Sequence, residues 1–138
     1  MPVTVVRDEQ INFDELPDKI ARIACLNSVA LISQRVQNQG LDSSEKSIGV
    51  YSKSWAQQRL KEGRQVQIID LTYTGDMMES FTFSPLGKDY LVGFSSDKEG
   101  QKADANEERF GIIFQLSNEE LNDINNEIQN GLNEYFKW

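Results

Sequence analysis

The sequence contains no histidine. Histidine is the commonest general base near neutral pH, the commonest zinc ligand and the central member of serine and cysteine catalytic triads. Its absence removes most familiar hydrolase mechanisms and the usual zinc sites. We therefore expect a protein that is not an enzyme and that carries no cofactor.

Cysteine and long apolar runs are also scarce. Cys25 is the single cysteine among 138 residues, so no disulfide can form within the chain, which suits a reducing cytoplasm. Cys25 lies in an apolar helical pattern and is predicted to be a core residue rather than a nucleophile. No stretch reaches membrane-spanning length, and residues 1–6 lack the basic and apolar regions of a secretion signal. We expect neither export nor a membrane partner.

Basic residues are outnumbered, with 14 Lys and Arg against 22 Asp and Glu, a net charge of −8 and a pI near 4.5. Binding DNA through its phosphates requires clustered Lys and Arg. The densest cluster, Arg59, Lys61 and Arg64, is diluted by Glu62. The acidity indicates either simple solubility or a surface past which DNA slides without sticking.

A long first helix is predicted over residues 14–39. Asp14 can cap its first turn, Pro17 is tolerated near the start, and Gly40 provides the stop. Seven residues are predicted to form its apolar face: Leu16, Ile20, Ile23, Val29, Ala30, Ile32 and Val36.

A last helix is predicted to begin with a capping box formed by Ser117 and Glu120. Leu116 and Leu121 are placed to form the accompanying hydrophobic staple. The apolar residues of this helix recur at intervals of three and four: Leu121, Ile124, Ile128, Leu132 and Tyr135.

A hairpin is predicted in the middle of the chain. Alternating apolar residues over 81–84 and 90–94 flank a turn at 85–88. A short β segment is predicted at 3–6 and an extended segment at 65–70, and a further short strand is indicated at 112–114.

The remaining segments are predicted as one loop, one short helix and one polar stretch. Residues 41–49 are expected to form a loop, and residues 54–62 a helix anchored by Trp55 and Leu60. Residues 95–106 are expected to form a surface loop, with a helix over 103–109 as the alternative. We predict an α+β domain spanning residues 1–138, with a small, mostly antiparallel sheet packed against the first and last helices.

Three passages of the sequence together resemble a known family. They are YSKSWA with Arg59 and Gly63, then DLTYTGDMMESF at 70–81, and FGIIFQLSNEE at 110–120. In this order and spacing they resemble the neck and tail-completion proteins of tailed bacteriophages, the virion morphogenesis or minor tail proteins of Mu-like and lambda-like phages. Two features depart from the family pattern: Ile113 replaces a frequent proline, and the stretch 97–106 is richer in charge. Neck, tail-completion and tail-terminator roles therefore stay open.

The resemblance implies a structural virion protein that forms a ring around the DNA channel, as a hexamer or dodecamer, at the neck or the head-proximal end of the tail. Its neighbours would be connector, tail-terminator or tail-tube proteins, and DNA would pass without specific binding. The protein would reside in the host cytoplasm during assembly and afterwards in the virion. A small acidic protein that binds and inhibits a host factor is the alternative.

Candidate functional residues follow from these interpretations. Gly75 is expected to form a turn with positive φ, and the exposed terminal aromatics suit a partner contact. The interface candidates are Gly75, Met77, Ser80, Phe110, Phe114, Phe136 and Trp138. The channel-facing acidic candidates are Asp97, Glu99, Asp104, Glu107 and Glu108. A metal-dependent hydrolase using Asp70, Asp76 and Glu79 is the least favoured interpretation, because three acids spread around a turn rarely form a fixed pocket.

Overall fold

The computed structural model describes residues 17–72, 75–86 and 89–135, apart from the side chains of Asp89 and Tyr135. Within these residues, five α-helices accompany a two-stranded antiparallel sheet, so the predicted α+β fold is confirmed. The helices are α1 (Asp18–Gln34), α2 (Lys53–Lys61), α3 (Asp76–Glu79), α4 (Asp97–Phe110) and α5 (Asn118–Tyr135), and the strands are β1 (Phe81–Leu86) and β2 (Asp89–Phe94). No helix in these described ranges is long and apolar enough to cross a membrane.

The first helix ends where the sequence predicts. A π-helical turn, Arg35–Gln39, continues α1 as far as Gly40, which adopts a left-handed conformation with φ of 62°. A Cβ atom at Gly40 would lie 2.8 Å from the Cβ atom of Ile68, so glycine is required for both conformation and space. Asp14, Leu16 and the predicted β segment at 3–6 lie outside the described residues.

The buried face of α1 is only partly the predicted one. Ile20, Ile32 and Val36 are buried, but Ile23 is 46% exposed and Ala30 is also exposed. Instead, the core face runs through small residues: Ala21, Ala24, Cys25 and Ser28. These small side chains let α5 and the hairpin pack closely against α1. Ile23 borders a small cavity at the α1–α5 contact, beside Ile128 and Gly131, and stays partly exposed. Burial of Cys25 confirms its predicted place in the core.

The predicted hairpin is confirmed. Phe81 pairs with Phe94 and Leu86 with Asp89, so Pro85 and Leu86, which were predicted to lie in the turn, belong to β1 instead. Phe81, Phe94 and Phe114 form an aromatic cluster, with ring centroids 5.0–5.6 Å apart. This cluster forms the centre of the core, since all three rings are buried.

Two predicted extended segments are not strands. At 65–70 the backbone bends around Gln65, whose side-chain oxygen accepts hydrogen bonds from the amides of Gln67 and Ile68 at 2.9 and 3.1 Å. At 112–114, the Glu107 carboxylate accepts from the amides of Ile113 and Phe114 at 2.7 and 3.0 Å. In both places a side chain supplies the bonds that a neighbouring strand would have supplied.

The prediction of a surface loop at 95–106 is wrong, because residues 97–106 form most of α4. The helix over 103–109 that was the alternative is confirmed as the second half of α4. The Ser96 hydroxyl caps this helix by accepting from the Glu99 amide at 3.4 Å. Its buried positions are Gly100, Ala103 and Glu99, which lack the large apolar side chains that signal a helix face in sequence.

The short helix α2 is confirmed within one residue at each end, and Gly63 follows it with positive φ. Its predicted anchors are wrong: Trp55 is 39% exposed and Leu60 is 60% exposed. Arg59 is the buried residue of this helix, because its guanidinium group finds carbonyl partners inside the protein.

The predicted capping box of α5 is confirmed. The Ser117 hydroxyl accepts from the Glu120 amide at 3.1 Å, and the Glu120 carboxylate accepts from the Ser117 amide at 2.9 Å. Leu116 and Ile124 are buried, while Leu121 and Ile128 are half-buried against the core.

Candidate functional site

A groove of about 630 Å³ lies between α2, the segments at 69–72 and 75–77, and one side of α4. Its volume falls within the roughly 300–1,000 Å³ of typical ligand clefts. Ile69 and Met77 form a buried apolar floor, while Val50 and Trp55 expose apolar surface at the edge. We refer to this cleft as the basic groove, because Arg59, Lys102 and Arg109 are among the residues that line it.

One wall of the basic groove is built around Arg59. Its guanidinium carbon lies 4.5 Å from the centroid of the Tyr51 ring, a cation–π contact. The same group donates to the carbonyls of Gln65 and Thr72 at 2.9 and 3.0 Å. Arg59 thereby fixes α2 to the segment that carries the groove floor.

Asp70 lies behind this wall and holds it in place. Its carboxylate accepts from the Tyr51 hydroxyl at 3.2 Å, the Thr72 amide at 3.0 Å and the Gln65 amide group at 2.9 Å, and lies 3.6 Å from Arg59. Burial raises the pKa of Tyr51, so its hydroxyl stays protonated as a donor at neutral pH.

The opposite wall is a face of α4. Lys102, Asn106 and Arg109 recur at helical spacing on this face, followed by Phe110. The Arg109 guanidinium carbon lies 4.9 Å from the Phe110 ring centroid, and the Lys102 ammonium lies 3.1 Å from the Glu99 carboxylate. The Asn106 amide donates to the Met77 sulfur at 3.7 Å, which joins this wall to the floor.

The charged side chains that line the groove are all basic: Arg59, Lys102 and Arg109 line it, and among the described residues no carboxylate does. Arg59 is buried and lies 3.6 Å from Asp70, so the cations that the groove exposes are Lys102, which contacts Glu99, and Arg109. In a chain with a net charge of −8 these two residues give a weakly basic surface beside exposed aromatic and aliphatic groups. Such a surface suits an anionic segment that also carries apolar side chains.

Only some of the interface residues that were predicted from the sequence line the groove. Gly75, Met77 and Phe110 line the basic groove, and the expected turn at Gly75 is confirmed by a φ of 94°. The Ser80 hydroxyl donates to the Met77 carbonyl at 2.9 Å and closes α3. Phe114 is fully buried in the aromatic cluster and offers no surface to a partner. Phe136 and Trp138 lie outside the described residues.

Only three of the five acidic candidates on α4 are exposed. Asp97, Asp104 and Glu108 are exposed at intervals of seven and four residues, which places them on one helix face. Glu99 is buried beside Lys102, and Glu107 caps the amides of Ile113 and Phe114. These last two carboxylates bind groups within the fold.

The acids of the hydrolase interpretation do not converge. The Asp70 oxygens are occupied by the hydrogen bonds described above, and Asp76 and Glu79 lie exposed on α3. In the part of the chain that the structure describes, no group of three or more His, Cys, Asp or Glu side chains is arranged to hold a metal ion.

The basic groove was missed by sequence reasoning because its walls come from distant segments. Arg59 belongs to a weak basic cluster and to the first passage of the resemblance, and neither observation indicates a groove. Lys102 and Arg109 share a face only when residues 97–110 form one helix. The alternative helix predicted at 103–109 begins after Lys102, so it does not bring the two basic residues together.

No family model, curated protein or solved structure matches this chain. The phage-family resemblance therefore stays a prediction from the sequence.

Proposed function

We propose that this chain is a structural virion protein of a tailed bacteriophage, which completes the neck or the head-proximal end of the tail as a ring around the DNA channel. One observation carries the proposal: the three passages of the resemblance meet at the basic groove. Residues 51–63 contribute Tyr51 and Arg59, residues 70–81 contribute Gly75 and Met77, and residues 110–120 contribute Phe110.

The proposed mechanism is mechanical. A closed ring of identical subunits is built from heterologous contacts, in which one surface of each copy binds a different surface of the next. The basic groove is a receiving surface of the required kind. A hexamer or dodecamer would then present a repeated docking surface to a connector, tail-terminator or tail-tube protein.

We assign the exposed acidic face of α4 to the channel. Asp97, Asp104 and Glu108 would repel the DNA phosphates and keep passage smooth. Replacing all three by Asn or Gln is expected to slow DNA ejection from purified particles. Unchanged ejection would contradict this assignment.

Disruption of the gene in the phage or prophage that encodes the chain tests the proposed function. We expect filled heads and separate tails that fail to join, with infectivity restored by adding purified protein to the lysate. The Arg109→Glu variant is expected to restore less, whereas Arg22→Glu, an exposed change on α1 outside the groove, should restore fully. Normal infectious particles from the disrupted gene would contradict the proposal.

A host-directed acidic binder is the second candidate, and one observation favours it. Glu119, Asp123 and Glu127 are exposed on α5 at successive four-residue intervals, a regular acidic row. Retention of one host protein by the purified chain, lost when these three acids are neutralised, would favour this candidate if the chain is also absent from particles.

A further inference from the structure

We infer that the basic groove binds residues 1–16 of a second copy of this chain. The match between groove and segment comes from their chemistry. The choice of a second copy, rather than the same copy, rests on the proposed ring.

The composition of residues 1–16 complements the groove. The segment MPVTVVRDEQINFDEL contains four acidic side chains against one basic side chain, interleaved with apolar residues such as Val5, Val6 and Phe13. The groove offers the exposed bases Lys102 and Arg109 and, among its described lining, no carboxylate, while its third base, Arg59, is buried against Asp70. Apolar groups of the segment would cover the exposed apolar edge while its acids meet the bases, so both kinds of contact favour binding.

The start of α1 and the groove floor lie toward opposite ends of the hairpin. The Tyr90 hydroxyl donates to the carboxylate of Asp18, and Tyr90 pairs with Pro85 beside the hairpin connection. The start of α1 therefore lies at the connection end of the hairpin. At the other end, Phe81 follows α3, which contributes Met77 to the groove.

The two ends are separated by a six-residue strand, roughly 20 Å at about 3.3 Å per residue. Sixteen residues can span at most roughly 55 Å, which is long enough to reach the groove of the same copy or of an adjacent one, so the proposed ring decides between them. A segment that leaves one end of a subunit and binds a groove at the other end makes a heterologous contact, the type that closes into a ring.

A labelled peptide of residues 1–16 tests the chemical match against the full-length protein. We expect the peptide to bind, and the Lys102→Glu/Arg109→Glu double variant to weaken binding about tenfold or more. The matched control, Arg22→Glu/Lys46→Glu, changes net charge equally at exposed positions outside the groove and should leave binding unchanged. A peptide with Asp8→Lys and Glu9→Lys should recover binding to the groove variant. No binding to wild type, or equal weakening in both double variants, would overturn the inference.

Photo-crosslinking tests which copy supplies the segment. Isotopically heavy full-length chains carrying p-benzoylphenylalanine in place of Phe13 are mixed with light wild-type chains at high concentration, irradiated, and analysed by mass spectrometry. Heavy-to-light crosslinks at groove residues support the inference. Crosslinks confined to the heavy chains, or found outside the groove, overturn it.

The two proposals fail separately. Heavy-to-light crosslinks together with particles that lack the chain would overturn the virion role and leave the contact standing. Particles that contain the chain, with no such crosslinks, would overturn the contact alone.

Discussion

Arg35 and Glu120 form a buried ion pair that joins the end of the first helical segment to the capping box of α5. Arg35 also donates to the carbonyls of Ile113 and of Gln115, the latter at 3.0 Å. One guanidinium group therefore holds the backbone that leads into α5, a stretch that belongs to no strand.

Arg35→Ala should destabilise the protein by about 3–5 kcal/mol, because it leaves the Glu120 carboxylate buried without its partner. The free energy of unfolding from urea titration measures this loss. Arg22→Ala, which removes an exposed arginine from the same helix, should stay within about 0.5 kcal/mol of wild type. A loss below about 1 kcal/mol for Arg35→Ala would show that the pair contributes little.

Ser117→Ala should lower the free energy of unfolding by about 1 kcal/mol, because the Glu120 amide loses its cap. Ser54→Ala, at an exposed position within α2, is the control and should change stability by at most a few tenths of a kcal/mol. Equal effects of the two substitutions would contradict the importance of the cap.

Two glycine-to-alanine substitutions should have opposite effects. Gly40→Ala forces a positive φ on alanine and places Cβ 3.0 Å from the Ile69 carbonyl oxygen, so it should destabilise the protein by more than about 1 kcal/mol. Gly131→Ala lies within α5, where its Cβ would make ordinary contact with Ile20 at 3.5 Å, and should stabilise by about 0.5–1 kcal/mol. Thermal and urea unfolding of both variants measure the difference, and the same sign for both would contradict the described packing.

Cys25 should make stability fall at alkaline pH. Burial raises the pKa of its thiol from 9.0 to about 12, so between these values the folded protein holds a proton that the unfolded chain has lost. The stability that the buried thiol contributes is fully present below about pH 9 and is lost as the pH rises toward 12. In the pH range where the unfolded thiol is ionised and the folded one is protonated, the free energy of unfolding falls by up to about 1.4 kcal/mol per pH unit.

The Cys25→Ala variant isolates that contribution. Unfolding titrations from pH 8 to about pH 11 should show a shallower decline in the variant than in wild type, whatever the packing cost of the substitution. Parallel pH profiles would show that the thiol is not protected by the fold. Thiol-specific reagents should likewise react with wild type only as fast as it unfolds.

Local signals in the sequence predicted the fold well where one short segment determines the structure. The capping box at Ser117, the hairpin around residues 87–88 and the stop at Gly40 each depend on a few neighbouring residues. These features need no knowledge of distant contacts, and all three are confirmed.

The predictions that were wrong concern segments in which contacts with distant parts of the chain outweigh the local sequence pattern. Helix α4 buries Gly100 and Ala103 rather than large apolar side chains, so the sequence indicates this helix only as an alternative and only over residues 103–109. In α2, the apolar Trp55 and Leu60 are exposed, and Arg59 is buried because carbonyls from a later segment satisfy its donors. The basic groove depends on both of these features, and for that reason it could not be predicted from the sequence.

Gold-labelled antibody against this chain, applied to purified particles of the phage that encodes it, tests the virion role most directly. We expect gold at the head–tail junction or the upper tail, and the chain among the particle proteins by mass spectrometry. Intact particles with an accessible neck, no label and no such chain by mass spectrometry would contradict the virion role and favour the host-directed binder.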